Sequence, residues 1–464
     1  MAKFNSRRKF LRQLGGTAAI IGTGSVSSLA AEEQAERRII YSEKKFSTND
    51  TIRIAGIGMG IMGFNDVNTA LKVKGTELVA VCDLYDGRLT RSKEVYGKNI
   101  FTTRNYQEIL DRKDIDAVII ATSDHWHDRI SIDAMRKDKH VYCEKPMVHH
   151  IEEGHAVINT QKETKKTFEV GSQGVSSATY AEAKRLLHAG EIGDLNLIEA
   201  SFNRHSALGA WQYSIPPDAS TQTVDWNRYL GDAPKRGYDA NRFFRWRNYR
   251  DYGTGVAGDL FIHLISGIHF ITGSLGPKRI FATGELSYWK DGRDVPDVMT
   301  GIIEYPKTDT LPAFQLAIKV NFASGEGEKS VLKFVGSDGV MDLGGEGLKI
   351  TKDKLPKAPG YGGWDSFDTF PEAIQKEFVK QYDSKYSAAD KSVPDNKAIT
   401  FNPPKDDDEH RDHFMNFFEG VRTGKPVVED ASFGLRAAGP ALACNESYFK
   451  GKVINWDPVA MKVV

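Results

Sequence analysis

Gly58-Met59-Gly60-Ile61-Met62-Gly63 places glycine at the first, third and sixth positions, directly after the apolar run 52–57 and ahead of a helical pattern. Twenty residues past Gly63, Asp83 closes a second apolar run, 77–82. The chemistry open to such a set is dinucleotide binding. The first glycine permits a tight turn, the second lets backbone approach a pyrophosphate, and the third lets helix and strand pack closely. Met59, Ile61 and Met62 lie within the same loop, where N–H groups at a helix N-terminus can meet phosphate. Asp83 would accept hydrogen bonds from the adenosine ribose hydroxyls, and its charge would repel a 2′-phosphate. That favours NAD over NADP, with Arg88 as the nearby residue that pulls the other way.

These residues need a scaffold, and the surrounding sequence supplies a βαβ rhythm. Strands are expected at 52–57, 77–82, 115–120 and 139–143, with helices at 64–72, 87–97, 105–112 and 127–137. Strands alternating with helices imply a parallel sheet with right-handed crossovers. Past residue 171 the β-like runs (196–203, 278–286, 298–305, 313–322, 330–336) crowd together, as in a mostly antiparallel sheet. The fold class is therefore α/β: a Rossmann domain, 51–170, followed by an α/β domain with an open sheet, 171–464. Within the latter, 351–405 reads as an insertion or lid with one helix starting at Pro371, and 407–424 and 431–449 read as helices.

Two further stretches narrow the reading. Ala121-Thr122-Ser123-Asp124-His125-Trp126-His127 follows the third strand, and Glu144-Lys145-Pro146 follows Val141-Tyr142-Cys143. With the glycine motif, they resemble the Gfo/Idh/MocA family of glucose–fructose oxidoreductases and inositol dehydrogenases, over nearly all of 51–345 and the terminal helices. The resemblance implies an open C-terminal sheet that often forms an oligomer interface, and so a homo-oligomer. It also implies direct hydride exchange between a substrate carbon and nicotinamide, with the proton handled by a lysine and an Asp-x-x-x-His helix. Those positions are Lys145, Asp259 and His263. Locally, Asp259, His263 and Ser266 fall on one helical face amid apolar residues, so carboxylate and imidazole at i, i+4 can meet. An imidazole titrates near neutrality, which makes His263 the expected general base, Asp259 its orienting partner and Lys145 the alkoxide stabiliser. The other assignment gives the proton to Lys145.

The resemblance carries further expectations for the cofactor crevice. Thr122, His125, His127 and Glu144 should line it, Gln173 matches a glutamine kept near the cofactor, and Trp246 and Arg247 approach the nicotinamide. Asn203, Arg204, His205 and Arg245 are candidate substrate contacts. No carboxylate or cysteine spacing completes a metal site around His125, His127, His149-His150, His410 or His413.

Bulk properties bound the remainder. A composition of 40% hydrophobic and 27% charged residues is globular, and 464 residues exceed one ordinary core. Zero net charge argues against nucleic acid as a partner. The balance conceals an asymmetry. Residues 1–31 hold Lys3, Arg7, Arg8, Lys9 and Arg12 with no acid, leaving 57 basic against 62 acidic residues beyond them. Ser6-Arg7-Arg8-Lys9-Phe10-Leu11-Arg12 resembles a twin-arginine export signal, followed by a weakly apolar stretch and Ala30-Ala31 as a cleavage site. The expectation is a periplasmic protein exported folded by the twin-arginine translocase, free of the membrane after cleavage, with 32–50 as a linker or arm. Cys82, Cys143 and Cys444 are odd in number and far apart, so buried thiols are expected in place of disulfides.

The function expected from all this is an NAD(H)-dependent oxidoreductase acting on a hydroxyl-bearing carbon of a sugar, glycoside or polyol, with tightly bound cofactor. Its rivals are an NAD-dependent glycoside hydrolase of the family 109 type, a non-catalytic NAD-binding sensor, and a structural partner in an export or polysaccharide-handling assembly.

Overall fold

The computed structural model describes residues 51–344 and 347–464; the expected export signal and arm lie outside the described residues. The strand–helix alternation builds a six-stranded parallel sheet in the order β3-β2-β1-β4-β5-β6. Its strands are β1 (Ile52–Ile57), β2 (Thr76–Cys82), β3 (Phe101–Thr103), β4 (Ala117–Ile120), β5 (His140–Glu144) and β6 (Phe168–Gly171). Helices α1 (Ile61–Ala70), α2 (Asp86–Tyr96), α3 (His127–Arg136) and α4 (Gly154–Thr164) run between them. All four residues of β4 are buried, as a parallel strand covered on both faces requires. Strand order reverses between β1 and β4, which pair with Gly56 opposite Ile119. Such a reversal opens a crevice at the carboxyl ends of the strands.

The second sheet has ten strands, β14-β13-β12-β11-β7-β10-β9-β8-β15-β16. They are β7 (Leu195–Asn203), β8 (Arg279–Glu285), β9 (Val298–Tyr305), β10 (Phe314–Asn321), β11 (Lys329–Gly336), β12 (Gly339–Gly344), β13 (Gly347–Lys352), β14 (Ile399–Phe401), β15 (Ile454–Asp457) and β16 (Lys462–Val463). The pairing of β7 with β10 is parallel and the other pairings are antiparallel. One face is packed and one is open: Phe314, Leu316, Ile318 and Val320 of β10 are buried, while Phe281 and Ile302 of neighbouring strands are 44% and 45% exposed. The longer helices of this half of the chain are α5 (Ala178–His188), α6 (Ile262–Thr272), α7 (Glu372–Lys385), α8 (Glu409–Thr423) and α9 (Ala431–Lys450).

Segment 351–405, expected as an insertion or lid, lies at the sheet edge. It contributes α7, which has no buried residue, and β14, which extends the sheet beside β13. Tyr361, Phe367, Phe378 and Tyr382 pack on one another, and none of them lines the crevice. Helix α8 lies late in the stretch assigned by sequence to the second domain, yet its rings complete the first. Phe414, Phe417 and Phe418 are fully buried with Ile52, Ile54, Ile119 and Tyr142. Phe414 stacks on Tyr142 at 4.2 Å between centroids. The three cysteines are buried and free.

Candidate active site

An open cleft follows the carboxyl ends of β1, β2, β4 and β5. Gly58 has φ +89°, and a Cβ there would lie 2.6 Å from the Ala121 carbonyl oxygen and 2.7 Å from Thr122 N, so only glycine fits. Gly63 abuts the Gly58 carbonyl, which fixes the approach of helix to strand. Gly60 differs. A Cβ there would meet only the Arg88 guanidinium, at 3.9 Å, so the protein's own packing does not demand glycine. Its bareness leaves backbone open to the cleft. Helix α1 begins at Ile61 with no side-chain cap and no acidic residue in its first turn. Free N–H groups, an uncontested dipole and a bare backbone fit a pyrophosphate. Ile61 and Met62 line the cleft, while Met59 is buried behind it.

Asp83 is 4% exposed and its carboxylate is already engaged. It accepts from Met59 N at 2.7 Å and from Tyr85 N at 2.9 Å, with Arg88 Nη1 3.4 Å away. The backbone bonds hold both oxygens at the cleft rim, where ribose hydroxyls can share them. Arg88 spans the same rim, its guanidinium 5.8 and 5.5 Å from the Phe243 and Phe244 ring centroids. Arg104 and Arg228 also line this end.

At the opposite end, Lys145 Nζ donates to Asp259 Oδ1 and to the Asp259 carbonyl, each at 2.9 Å. Asp259 lies in a π-helical turn, Ala257–Phe261, that runs into α6. A widened turn loosens the regular backbone ladder, which accounts for a main-chain carbonyl turned toward a side chain. Arg247 Nε donates to the same Oδ1 at 3.1 Å, and its guanidinium stacks on Trp246 at 4.2 Å. Burial would raise the Asp259 carboxyl, but the Lys145 and Arg247 charges overcome it and hold the group well below the usual carboxylate range.

The expected Asp259–His263 pair is not formed; among the described residues no hydrogen bond joins them. The π turn and two cations draw the carboxylate away from the imidazole. Burial and the positive charge of Lys145 push His263 down to about 3, so it is neutral throughout the physiological range. Its ring lines a neighbouring cavity with Phe202, Ser266 and Gln173, on the side of the second sheet. The reason given for His263 as general base, titration near neutrality, therefore fails.

The remaining candidates divide. His127 lines the cleft, with Nδ1 2.7 Å from Pro146 O and Nε2 3.2 Å from Thr122 O. His125 does not line it: Nε2 is 2.9 Å from Tyr229 O and Nδ1 3.1 Å from Ser123 Oγ, a structural histidine pushed by burial to about 4. Glu144 lines the inner wall, accepts from Gln173 Nε2 at 2.7 Å, and is raised by burial to about 8. Gly171 packs against its carboxyl, where any Cβ would collide. Arg245 is spent on Tyr213 O and Gln212 Oε1, at 2.7 and 2.6 Å. Asn203 is buried, Arg204 lies 5.1 Å over the Phe202 ring, and His205 is exposed; none of the three lines the cleft.

Beyond Arg245, Trp246 and Arg247, sequence reasoning did not read segment 212–254, which carries two short helices, Trp226–Leu230 and Ala240–Phe244, and is tied to both rims of the cleft. On one side Tyr85 OH donates to Asp218 Oδ1 at 2.6 Å, Asp225 N to Leu84 O, and Arg104 Nη2 to Gln222 O. On the other, Trp126 Nε1 donates to Tyr229 O at 2.9 Å, and Thr254 N and Oγ1 donate to Asp124 Oδ2 at 2.9 and 2.7 Å. Trp226, Tyr229, Phe243, Phe244 and Tyr252 of the segment pack with Tyr85 into a separate apolar cluster. Spacing rules could not reveal it, although its density of aromatic residues was a signal.

The GFO_IDH_MocA family model, described as an oxidoreductase family with an NAD-binding Rossmann fold, matches residues 52–172. A glycosyl hydrolase family 109 protein of Shewanella baltica is 34% identical over 176 residues, 34% of this chain and 38% of that protein. Inositol 2-dehydrogenase of Salmonella paratyphi B is 30% identical over 168 residues, 36% of this chain and 49% of that one. The chain thus matches less than half the length of these curated relatives. The fold extends further. A crystal structure of aldose-aldose oxidoreductase from Caulobacter crescentus superposes with a TM-score of 0.61 at 15% identity, covering 87% of this chain and 99% of that one. Match and geometry coincide on the glycine turn, Asp83 and Glu144-Lys145-Pro146, so residues 52–172 form an NAD-binding Rossmann fold similar to that of the Gfo/Idh/MocA oxidoreductases.

Proposed function

We propose that the protein is an NAD(H)-dependent oxidoreductase that moves hydride to or from a hydroxyl-bearing carbon of a sugar, glycoside or polyol. A bound nicotinamide supplies the hydride chemistry. The observation that carries the reading is Lys145: an ammonium on the cleft wall, fixed from behind by the Asp259 carboxylate and carbonyl. Held there, it stabilises the alkoxide that forms on hydride loss and, in the reducing direction, donates the proton that restores the hydroxyl. Asp259 and Arg247 position it. Asp83 on the ribose rim supports NAD over NADP.

The strap 212–254 supports a retained cofactor. With ties on both rims, dissociation requires several hydrogen bonds and an aromatic cluster to open together. A retained cofactor must be reset in place, by a second substrate or by returning hydride to the first. The relatives named family 109 favour a second reading, in which transient oxidation labilises a glycosidic bond.

One experiment tests both. Purified protein is mixed with a panel of sugars, polyols and aryl glycosides while nicotinamide absorbance and aglycone release are followed. Reduction of bound NAD without aglycone release is the expected result. Aglycone release with no net reduction selects the glycosidase reading, and inertness of a nicotinamide-loaded protein toward the whole panel removes both.

A further inference from the structure

Lys145 takes its place from Asp259, and Asp259 takes its own from a π-helical turn, whose widened backbone ladder is looser than that of a regular helix. What fixes the turn is a buried junction just outside it. Thr254 is buried three residues before the turn begins at Ala257, and each of its polar atoms is engaged. Its N–H and Oγ1 both donate to Asp124 Oδ2, at 2.9 and 2.7 Å. Its carbonyl accepts from Gly258 N at 3.2 Å, inside the turn and next to Asp259, and from Asn445 Nδ2 at 2.6 Å, on α9. The contact is steric as well: a Cβ on Gly258 would fall 2.2 Å from Thr254 Cβ and Oγ1, so no gap separates the two residues.

Asp124 is itself well anchored. It is buried and lines the cleft at the carboxyl end of β4. The chain leading to it is held beside the glycine turn, where Ala121 N donates to Ile57 O at 2.9 Å. On its far side His125 N donates to Tyr252 O at 3.3 Å, and His149 Nε2 lies 3.3 Å from the carbonyl of Gly253, the residue before Thr254.

We infer that Asp124 and Thr254 are positioning residues for Lys145. Asp124 holds Thr254, Thr254 holds the π turn at Gly258, and the turn presents the Asp259 carboxylate and carbonyl to the ammonium. Every link in that chain is a covalent neighbour or a hydrogen bond. A turn released at Gly258 lets Asp259 shift, and a reacting group misplaced by about 1 Å loses roughly a hundredfold in rate. What Lys145 does from its place is the oxidoreductase reading, on which the inference rests. The order of the turn can be read without it.

The rival role makes the Asp124–Thr254 bonds one more tie between the strap 212–254 and the rim, holding nicotinamide in and leaving Lys145 alone. Thr254→Val separates the two, because it keeps the branched shape and loses the Oγ1 bond. Three quantities are read on the full chain: single-turnover hydride transfer, nicotinamide release on dialysis, and amide hydrogen exchange across 257–261 without substrate. Transfer should slow roughly tenfold or more, release should be unchanged, and exchange across the turn should quicken. Thr254→Ser keeps both donors and should return all three to wild type. Normal transfer in Thr254→Val overturns the inference, with or without faster release, and so does normal exchange across 257–261. If Thr254→Val does not fold, Asn445→Leu removes only the second donor to the Thr254 carbonyl; quickened exchange across the turn is again expected, and unchanged exchange overturns the link. A wild-type protein that passes hydride to no member of the substrate panel fails the oxidoreductase reading, and the exchange measurement still decides whether Thr254 orders the turn.

Discussion

Asp259 accepts from two cations through one oxygen, and this sets what its loss does. Asp259→Asn keeps the shape but leaves Lys145 and Arg247 without their counter-charge in a buried setting. Breaking a buried pair from one side costs about 3–5 kcal/mol, so a fall of that order in unfolding free energy by denaturant titration is the expected outcome. An unchanged midpoint would show that the cations find other partners. His263 supplies a second, signed prediction. Its folded value is depressed from 6.5 to about 3, so the unfolded chain binds a proton that the folded chain refuses. Its contribution to stability is full above about 6.5 and is lost as pH falls toward about 3. His263→Gln should flatten the stability curve across that window and leave it unaltered at pH 8. Lys145→Ala should retain bound nicotinamide while hydride transfer falls roughly a hundredfold or more. Equal loss of transfer and of cofactor would return Lys145 to a binding role.

Among the elements, the strap makes the sharpest claim. Tyr85→Phe deletes the bond to Asp218 and leaves the ring in its cluster. A hydrogen bond to a charged group is worth about 1.5–3 kcal/mol, so release of nicotinamide should quicken roughly tenfold or more, as read from its loss during dialysis. Unaltered release would mean that the strap opens elsewhere. The elements also divide by how openly the sequence declared them. The strand at Ile52–Ile57, the glycine turn and Asp83 obey spacing rules that act within about thirty residues, and each stands where it was expected. Strand β6 went unread because Phe168-Glu169-Val170-Gly171 interrupts its apolar run with Glu169, whose burial depends on α8 and the segment before α9. The β12–β13 hairpin, two six-residue strands with glycine at 339, 344 and 347, also went unread. At the site, Lys145 and Asp259 were legible by resemblance, but nothing in a one-dimensional pattern couples 145, 247 and 259. The helical i, i+4 rule brought His263 to Asp259, and the π turn broke that rule.

For the whole molecule, the open face of the ten-stranded sheet is the surface on which a second copy is expected, and the basic N-terminus is its expected address. Replacing Arg7 and Arg8 by lysine should hold the protein in the cytoplasm, as judged by fractionation. Export of that variant at the normal level would sink the address. The return of α8 to the first sheet bears on the order of events during synthesis. Phe414, Phe417 and Phe418 close one face of a sheet whose first strand begins at Ile52. A nascent chain that has released residue 172 therefore has a nucleotide cradle without its back wall, and the strap tied to its rims follows only at 212–254. The wall itself is missing until Phe418 has been made, long after the leading arginines have emerged. A cofactor site that depends on this wall is therefore complete only at the end of translation.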